Sequence, residues 1–330
     1  MDLYNRMMTD EFAYRLLKDK EFLFLMARMK ATDQEEVEKR GVRVREQLNP
    51  SSLYEVEYFR EGVSGEDKIV DGFRVYTQDE LWGEFSSLRR NDMYSFLAKL
   101  YQVNKNLVVD FSLMNTRFLG SFCAMLSMFD WGEVYFCYTE PGEYFRNETD
   151  KFDLKNSTMG YEQIPNLETK SDSSEICDWI IFLGFEGSRL MRLEEGAPSS
   201  KRSSVPHVSI PAMRTHWHNY ALDANREFLE LRGSDRENLG YISAVNPFET
   251  YHELIRLRGN ANTRLVISPI GTKPVMLGCI MFVLENEQEM ILFDNPYQEG
   301  SNTIKYGKTH FYDLSQFIHT VKNKRYLLED

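Results

Sequence analysis

Cysteine is scarce: four residues in 330, Cys123, Cys137, Cys177 and Cys279, with no CxxC spacing among them. That excludes a disulfide framework and a CxxC-type zinc site. The four lie mostly in apolar segments and predict buried free thiols in a reducing, cytoplasmic setting. Long hydrophobic runs are missing too. The longest, Val275 to Leu284, contains a glycine and falls well short of a bilayer span. No basic, apolar, small-residue pattern opens the chain, so no secretory signal and no membrane partner are expected. Positive charge is short: 39 Lys and Arg stand against 51 Asp and Glu, a net charge of −12. Such a surface repels phosphate backbones and argues against bulk nucleic acid as a partner. Also absent are GxxxxGK[ST], Gly-x-Ser-x-Gly and any Ser–His–Asp arrangement. No cofactor or metal is called for.

What is present is ordinary for a globular chain, 42% hydrophobic and 27% charged. The length suits about two domains. Leu53 to Phe59 alternates with period two, as a strand does. Gln78 to Tyr101 carries apolar residues at helical spacing, with a break near Arg90–Asp92. Asn106 to Ser112 reads as a core strand, Thr116 to Met128 as an apolar helix and Glu133 to Tyr138 as another strand. That order argues for a parallel α/β sheet. Residues 145–177 turn polar and read as a connection. Trp179 to Phe185 is then a strongly apolar strand, and Glu195 to Val205 a mobile loop. Short strands at Val208 to Ile210, Tyr241 to Val245, Leu265 to Ser268 and Met290 to Phe293 alternate with helices at Thr215 to Leu231, Phe248 to Arg258 and Val275 to Leu284. The tail from Phe311 to Leu328 predicts a further helix.

Leu107–Leu126 laid over Leu265–Leu284 without a gap matches at five of twenty positions. Each copy runs apolar strand, polar turn, then a helix with Leu-Gly at the same place (Leu119-Gly120, Leu277-Gly278). Each is followed by an apolar strand ending before a proline, Pro141 or Pro296. A glycine on the sheet side of each helix would let helix and strand approach closely. Any two strand–helix–strand units share some of this script. The expectation is nonetheless two tandem Rossmann-like α/β domains with mainly parallel sheets, related by internal duplication. They span 1–144 and 178–310, joined by 145–177 and followed by a C-terminal helix over 311–330.

In open parallel sheets ligands collect beyond the carboxyl ends of the strands. Four polar turns fall there: Asp110–Arg117, Tyr138–Tyr144, Gly184–Arg189 and Ser268–Pro274. Gly271-Thr272-Lys273 follows a strand and opens a helix. Close backbone approach, outward amides and an ammonium suit an anion such as a phosphate, though a plain turn with a solvated lysine looks the same. Gly184-Phe-Glu-Gly-Ser-Arg189 leaves the Glu186 carboxylate on a turn beside Ser188 and Arg189. Glu186 is a candidate general base, nucleophile or ribose-hydroxyl acceptor, and equally a helix cap. Asp110 and Arg117 are candidate ligand contacts, with Ser112 and Asn115 explained as caps. Arg117, Arg189, Lys273 and Arg28 are expected near one cleft of positive potential. His216 and His218, two apart on a helix, would not converge on a metal.

A strand, the Gly271-Thr272-Lys273 turn and a helix closing a Rossmann-like domain resemble the CRISPR-associated Rossmann fold (CARF) sensors. A duplicated pair in one chain is similar to SAVED domains, built from two fused units of that type. The resemblance covers the duplicated core and carries over Gly271, Thr272 and Lys273 alone. It implies a cyclic oligonucleotide ligand and a protein partner or effector in antiviral defence. Against that pattern, no nuclease, protease or membrane effector is recognisable in the chain. The expected function is a non-catalytic sensor or accessory subunit for a nucleotide-type anionic ligand. Two alternatives stay open: a nucleotide or nucleoside hydrolase or transferase using Glu186, and an interaction protein that has lost its ligand.

Overall fold

A computed structural model describes residues 6–28, 43–62, 69–144, 158–169, 176–196, 201–231, 239–261, 263–296 and 303–329. Its contacts divide into two units, Met1–Tyr144 with Thr303–Asp330, and Phe145–Asn302. The second unit is thus inserted between two pieces of the first. The sequence suggested one boundary at 310 and a separate tail. The chain instead returns to the first unit at Thr303, where an unforeseen strand begins.

The first unit contains β1 (Met7–Thr9), α1 (Asp10–Leu17), β2 (Leu23–Ala27), α2 (43–48), β3 (Ser52–Gly62), β4 (Ile69–Thr77), β5 (Glu80–Phe85), α3 (Arg90–Val103), β6 (Leu107–Asp110), α4 (Thr116–Leu126), β7 (Val134–Tyr144), β15 (Thr303–Asp313) and α10 (Ser315–Glu329). Its eight strands lie in the order β1-β15-β7-β6-β2-β3-β4-β5. The central strands β7, β6, β2 and β3 are parallel. The outer pairings, β1 with β15, β15 with β7, β3 with β4 and β4 with β5, are antiparallel. The sheet is therefore mixed rather than mainly parallel, which corrects the expectation for this half. β2 is apolar and buried along most of its length, as a parallel strand covered on both faces must be. Phe24, Met26, Val108, Cys137 and Phe311 pack with Ala13 and Leu17 of α1 and Val44 and Leu48 of α2. Elsewhere in the unit Phe73 makes edge contacts with Phe96 of α3 and Phe118 of α4.

Three local readings are corrected here. Residues 80–85 are a strand, not the start of a helix. Gln78 and Asp79 both have positive φ, 50° and 64°, and form a two-residue hairpin turn between β4 and β5. Tyr138–Tyr144 is no turn. It prolongs β7, because β15 supplies an antiparallel partner as far as Tyr144, with Pro141 opposite Tyr306. Phe311–Asp313 closes β15, and the last helix starts only at Ser315.

The second unit contains β8 (Thr158–Glu162), β9 (Cys177–Phe182), α5 (Gly187–Gly196), β10 (Lys201–Ser209), α6 (Trp217–Ala224), α7 (Arg226–Leu231), β11 (Gly240–Ile242), α8 (Pro247–Asn260), β12 (Arg264–Pro269), α9 (Lys273–Glu285), β13 (Met290–Ile291) and β14 (Phe293–Pro296). Lys201–Val205, expected in a mobile loop, belongs to β10 and pairs with β9. The order β11-β10-β9-β12-β13 is parallel throughout. In chain order that is third, second, first, fourth, fifth, the doubly wound arrangement with its switch point between β9 and β12. Trp179, Ile181, Leu190, Leu193, Val208, Phe228 and Val266 form one buried cluster. α9 is buried from Pro274 to Leu284, so it is apolar all round rather than amphipathic. Gly278 faces α8, not the sheet: a β-carbon there would stand 2.4 Å from the Pro247 carbonyl oxygen. The close approach the glycine permits is between helices.

Among the described residues no helix is long and apolar enough to cross a membrane.

Candidate functional site

At the switch point of the second unit, the loops after β9 and β12 lie against each other. A β-carbon at Gly184 would stand 2.4 Å from the Ile270 carbonyl oxygen, so only glycine lets the two loops meet this way. Gly184, Glu186, Ser188 and Arg189 are thereby placed on one loop and Gly271, Thr272 and Lys273 on its neighbour. Thr272 is the N-cap of α9, but its side chain does not cap the helix. Its hydroxyl instead donates to the Ala244 carbonyl, 2.5 Å away, tying the turn to the loop after β11. The opening amides of a helix lack intrahelical acceptors, and Pro274 brings no N–H of its own. Lys273 is half-buried at that end of α9.

Glu186 is buried rather than exposed. Arg189 Nη1 donates to its Oε2 at 2.9 Å. The same guanidinium grips Asp294 of β14, with Nε at 2.8 Å from Oδ2 and Nη2 at 2.6 Å from Oδ1. Burial opposes the guanidinium's charge, yet Asp294 and Glu186 hold its pKa above the ordinary value. Two buried carboxylates share one cation, so this end of the crevice is net negative. Ser188 is exposed, and its carbonyl and hydroxyl accept from Arg192 one turn on. Asn225 follows α6 and its Nδ2 donates to the Gly184 carbonyl at 2.8 Å. Neither Asp294 nor Asn225 was singled out from sequence, since they lie 105 and 41 positions from their partners.

The remaining candidates belong to the first unit. Asp110 ends β6 and its Oδ1 accepts from the Ser112 amide at 2.9 Å. The Ser112 hydroxyl oxygen accepts from the Thr139 amide at 2.8 Å. Asn115 caps α4 by accepting from the amides of Arg117 and Phe118. Arg117 is buried, with Nε 2.7 Å from Asp71 Oδ2. Arg28 pairs with Asp79 at 3.1 Å and lies over the Tyr76 ring. Each arginine expected to make a cleft positive is thus matched by a carboxylate. Beyond these, buried Glu140 and half-buried His310 pair across β7 and β15, Nε2 to Oε1 2.7 Å, which sequence reading passed over because β15 was not recognised.

The histidines bind differently from a metal set. His216 is the N-cap of α6 with φ 67° and its side chain makes no cap bond. His207 is buried between the Val205 carbonyl (Nδ1, 3.1 Å) and Glu253 Oε1 (Nε2, 3.2 Å). Burial would raise the Glu253 pKa, but Arg256 and His207 bring it down to about 2. Among the described residues no group of three or more His, Cys, Asp and Glu could hold a metal ion. All four cysteines are free and buried.

Comparison with family models, with curated proteins and with solved structures finds no match for the chain.

Proposed function

We propose that this chain is a non-catalytic, Rossmann-like sensor or accessory subunit whose second unit binds a nucleotide-type anionic ligand at the β9/β12 switch point. The observation that carries the reading is the meeting of the Gly184–Arg189 and Gly271–Lys273 loops on adjacent parallel strands, in contact through Gly184. A phosphate fits the α9 end, where helix amides and Lys273 lie. The net-negative Arg189 group suits an uncharged, donor-rich part of a ligand instead. Burial of Glu186 and its engagement by Arg189 favour a positioning role over nucleophilic attack, which is why the sensor reading stands ahead of the hydrolase or transferase alternative.

The duplication belongs to the same proposal. In both units the compared segments run strand, helix and parallel strand, β6–α4–β7 and β12–α9–β13. In both, the first of those strands lies beside an earlier parallel strand, β2 or β9. These likenesses support common descent, and with it the resemblance to CARF and SAVED sensors, a cyclic oligonucleotide ligand and an effector partner in antiviral defence.

Calorimetric titration of mono-, di- and cyclic oligonucleotides tests the reading. Lys273→Ala is expected to lose a charge-assisted contact of roughly 1.5–3 kcal/mol, about tenfold to over a hundredfold in affinity. Glu186→Gln should keep most of the binding and show no turnover to lose. Unchanged affinity in Lys273→Ala, for any nucleotide the wild type binds, removes this turn from the site.

A further inference from the structure

The Arg189 group poses a problem of charge. Glu186 is 6% exposed and Asp294 1%, and among the described residues Arg189 is the only cation paired with either. Glu186 gives Oε2 to Arg189, while its Oε1 is buried with no hydrogen-bond partner. A second orphan acceptor borders the same loop. Asn225, 2% exposed, donates through Nδ2 to the carbonyls of Gly184 (2.8 Å) and Ala221 (2.7 Å). Those two bonds settle which way the amide faces and leave Oδ1 buried without a donor. Ala224, the preceding residue, lies against the far end of the loop: a β-carbon at Gly187 would fall 1.7 Å from its carbonyl oxygen. Contacts at Gly184 and at Gly187 therefore run the 224–225 junction alongside the loop whose middle is Glu186.

Buried acceptors are nearly always satisfied, and an unmatched buried charge is more costly still. One guest answers both: a single positive charge that takes oxygen ligands. We propose that the Gly184–Gly187 loop binds a monovalent alkali cation through Glu186 Oε1 and Asn225 Oδ1. Charge balance selects the valence, since one further positive charge neutralises the group and two overshoot it. Oxygen ligands without thiolate or imidazole select a hard ion over a transition metal. Bound there, the ion ties the start of α5 to the α6–α7 junction, beside the tie that Arg189 makes to β14. The site needs neither the Gly271–Lys273 turn nor a nucleotide, so it stands or falls separately from the proposed function.

The test is a set of melting curves of the full chain at constant chloride, with choline replaced in turn by potassium, sodium and magnesium. Potassium or sodium is expected to raise the melting midpoint saturably, because an ion bound only to the folded state stabilises by linkage. Choline and magnesium should not. Glu186→Gln should abolish the alkali response and melt higher than wild type in choline, having lost the unmatched charge. Asp294→Asn keeps the Arg189–Glu186 pair and removes the unmatched negative charge, so it should raise the half-saturating concentration by about tenfold or more. Identical wild-type curves in choline, potassium and sodium overturn the proposal. So do an undiminished alkali response in Glu186→Gln and a response to magnesium alone. If Glu186→Gln does not fold, an unmoved half-saturating concentration in Asp294→Asn overturns it as well.

Discussion

Replacing Gly278 by alanine should destabilise the second unit, against the ordinary effect of that change in a helix. Alanine in a helix interior is favoured over glycine by about 0.8–1.0 kcal/mol. At Gly278, however, the new β-carbon would stand 2.4 Å from the Pro247 carbonyl oxygen and 2.7 Å from Thr250 Cβ. Neither atom can swing aside as the end of a long side chain can, so α8 and α9 must move apart. Separating two well-packed helices typically costs about 1–3 kcal/mol, enough to outweigh the propensity gain. Gly259, near the end of α8, is the internal control, because a β-carbon there would meet nothing within 4 Å. Gly259→Ala should therefore be neutral or gain up to about 1 kcal/mol. Urea unfolding followed by circular dichroism reads both. In a unit of this size, each kcal/mol also moves the melting midpoint by about 2–4 °C. A Gly278→Ala protein as stable as wild type would refute the close crossing of the two helices.

Two further outcomes follow from buried charge. Arg189→Leu leaves Glu186 and Asp294 buried without their cation and should cost about 3–5 kcal/mol in urea unfolding, whereas Asp294→Asn keeps the Arg189–Glu186 pair and should cost less; equal losses would contradict the shared-cation geometry. Glu253 has a folded pKa of about 2, below its unfolded value near 4.3, so its contribution is complete above about pH 5 and is lost as pH falls through 2. Acid unfolding of wild type should accordingly be steeper between those limits than that of Glu253→Gln, and parallel curves would count against the His207–Glu253–Arg256 cluster.

The parts of the fold legible in the sequence were those whose burial is complete. β6, β9 and β12 are apolar runs with cover on both sides, and α9 is apolar all round, so composition alone separates them from their polar turns. β5 failed because Leu81, Phe85 and Leu88 happen to fall at helical spacing, and Gln78-Asp79 lacks the glycine that usually announces a two-residue turn. β15 failed for a different reason. It pairs with β7 from the far side of an inserted unit, with breaks in register between Thr303 and Thr309, so no local period marks it. An insertion of this kind also hides the unit boundary, which depends on where Thr303 pairs and not on any change of composition nearby.

The candidate site was legible as a place and misread as a charge. A turn after a strand is visible from glycine and polar residues, and the Gly184–Arg189 and Gly271–Lys273 segments do follow neighbouring strands, whose loops meet at Gly184 and Ile270. An arginine in such a turn reads as positive because only its own segment is in view. Glu186 was in view, three positions before Arg189, and that pair by itself is neutral. The sign changes with Asp294, which stands 105 positions from Arg189 on β14, a strand outside the five-stranded sheet. Arg117 repeats the lesson with Asp71, 46 positions earlier and on a strand of the antiparallel extension. An electrostatic site is a sum over partners, and the sequence orders those partners by chain distance while the fold orders them by contact. Lys273 is therefore the sharper test of an anion site than Arg189. Removing Arg189 unmasks two buried carboxylates, so a lost ligand would report lost folding, whereas removing Lys273 leaves no buried carboxylate of that group exposed to the change.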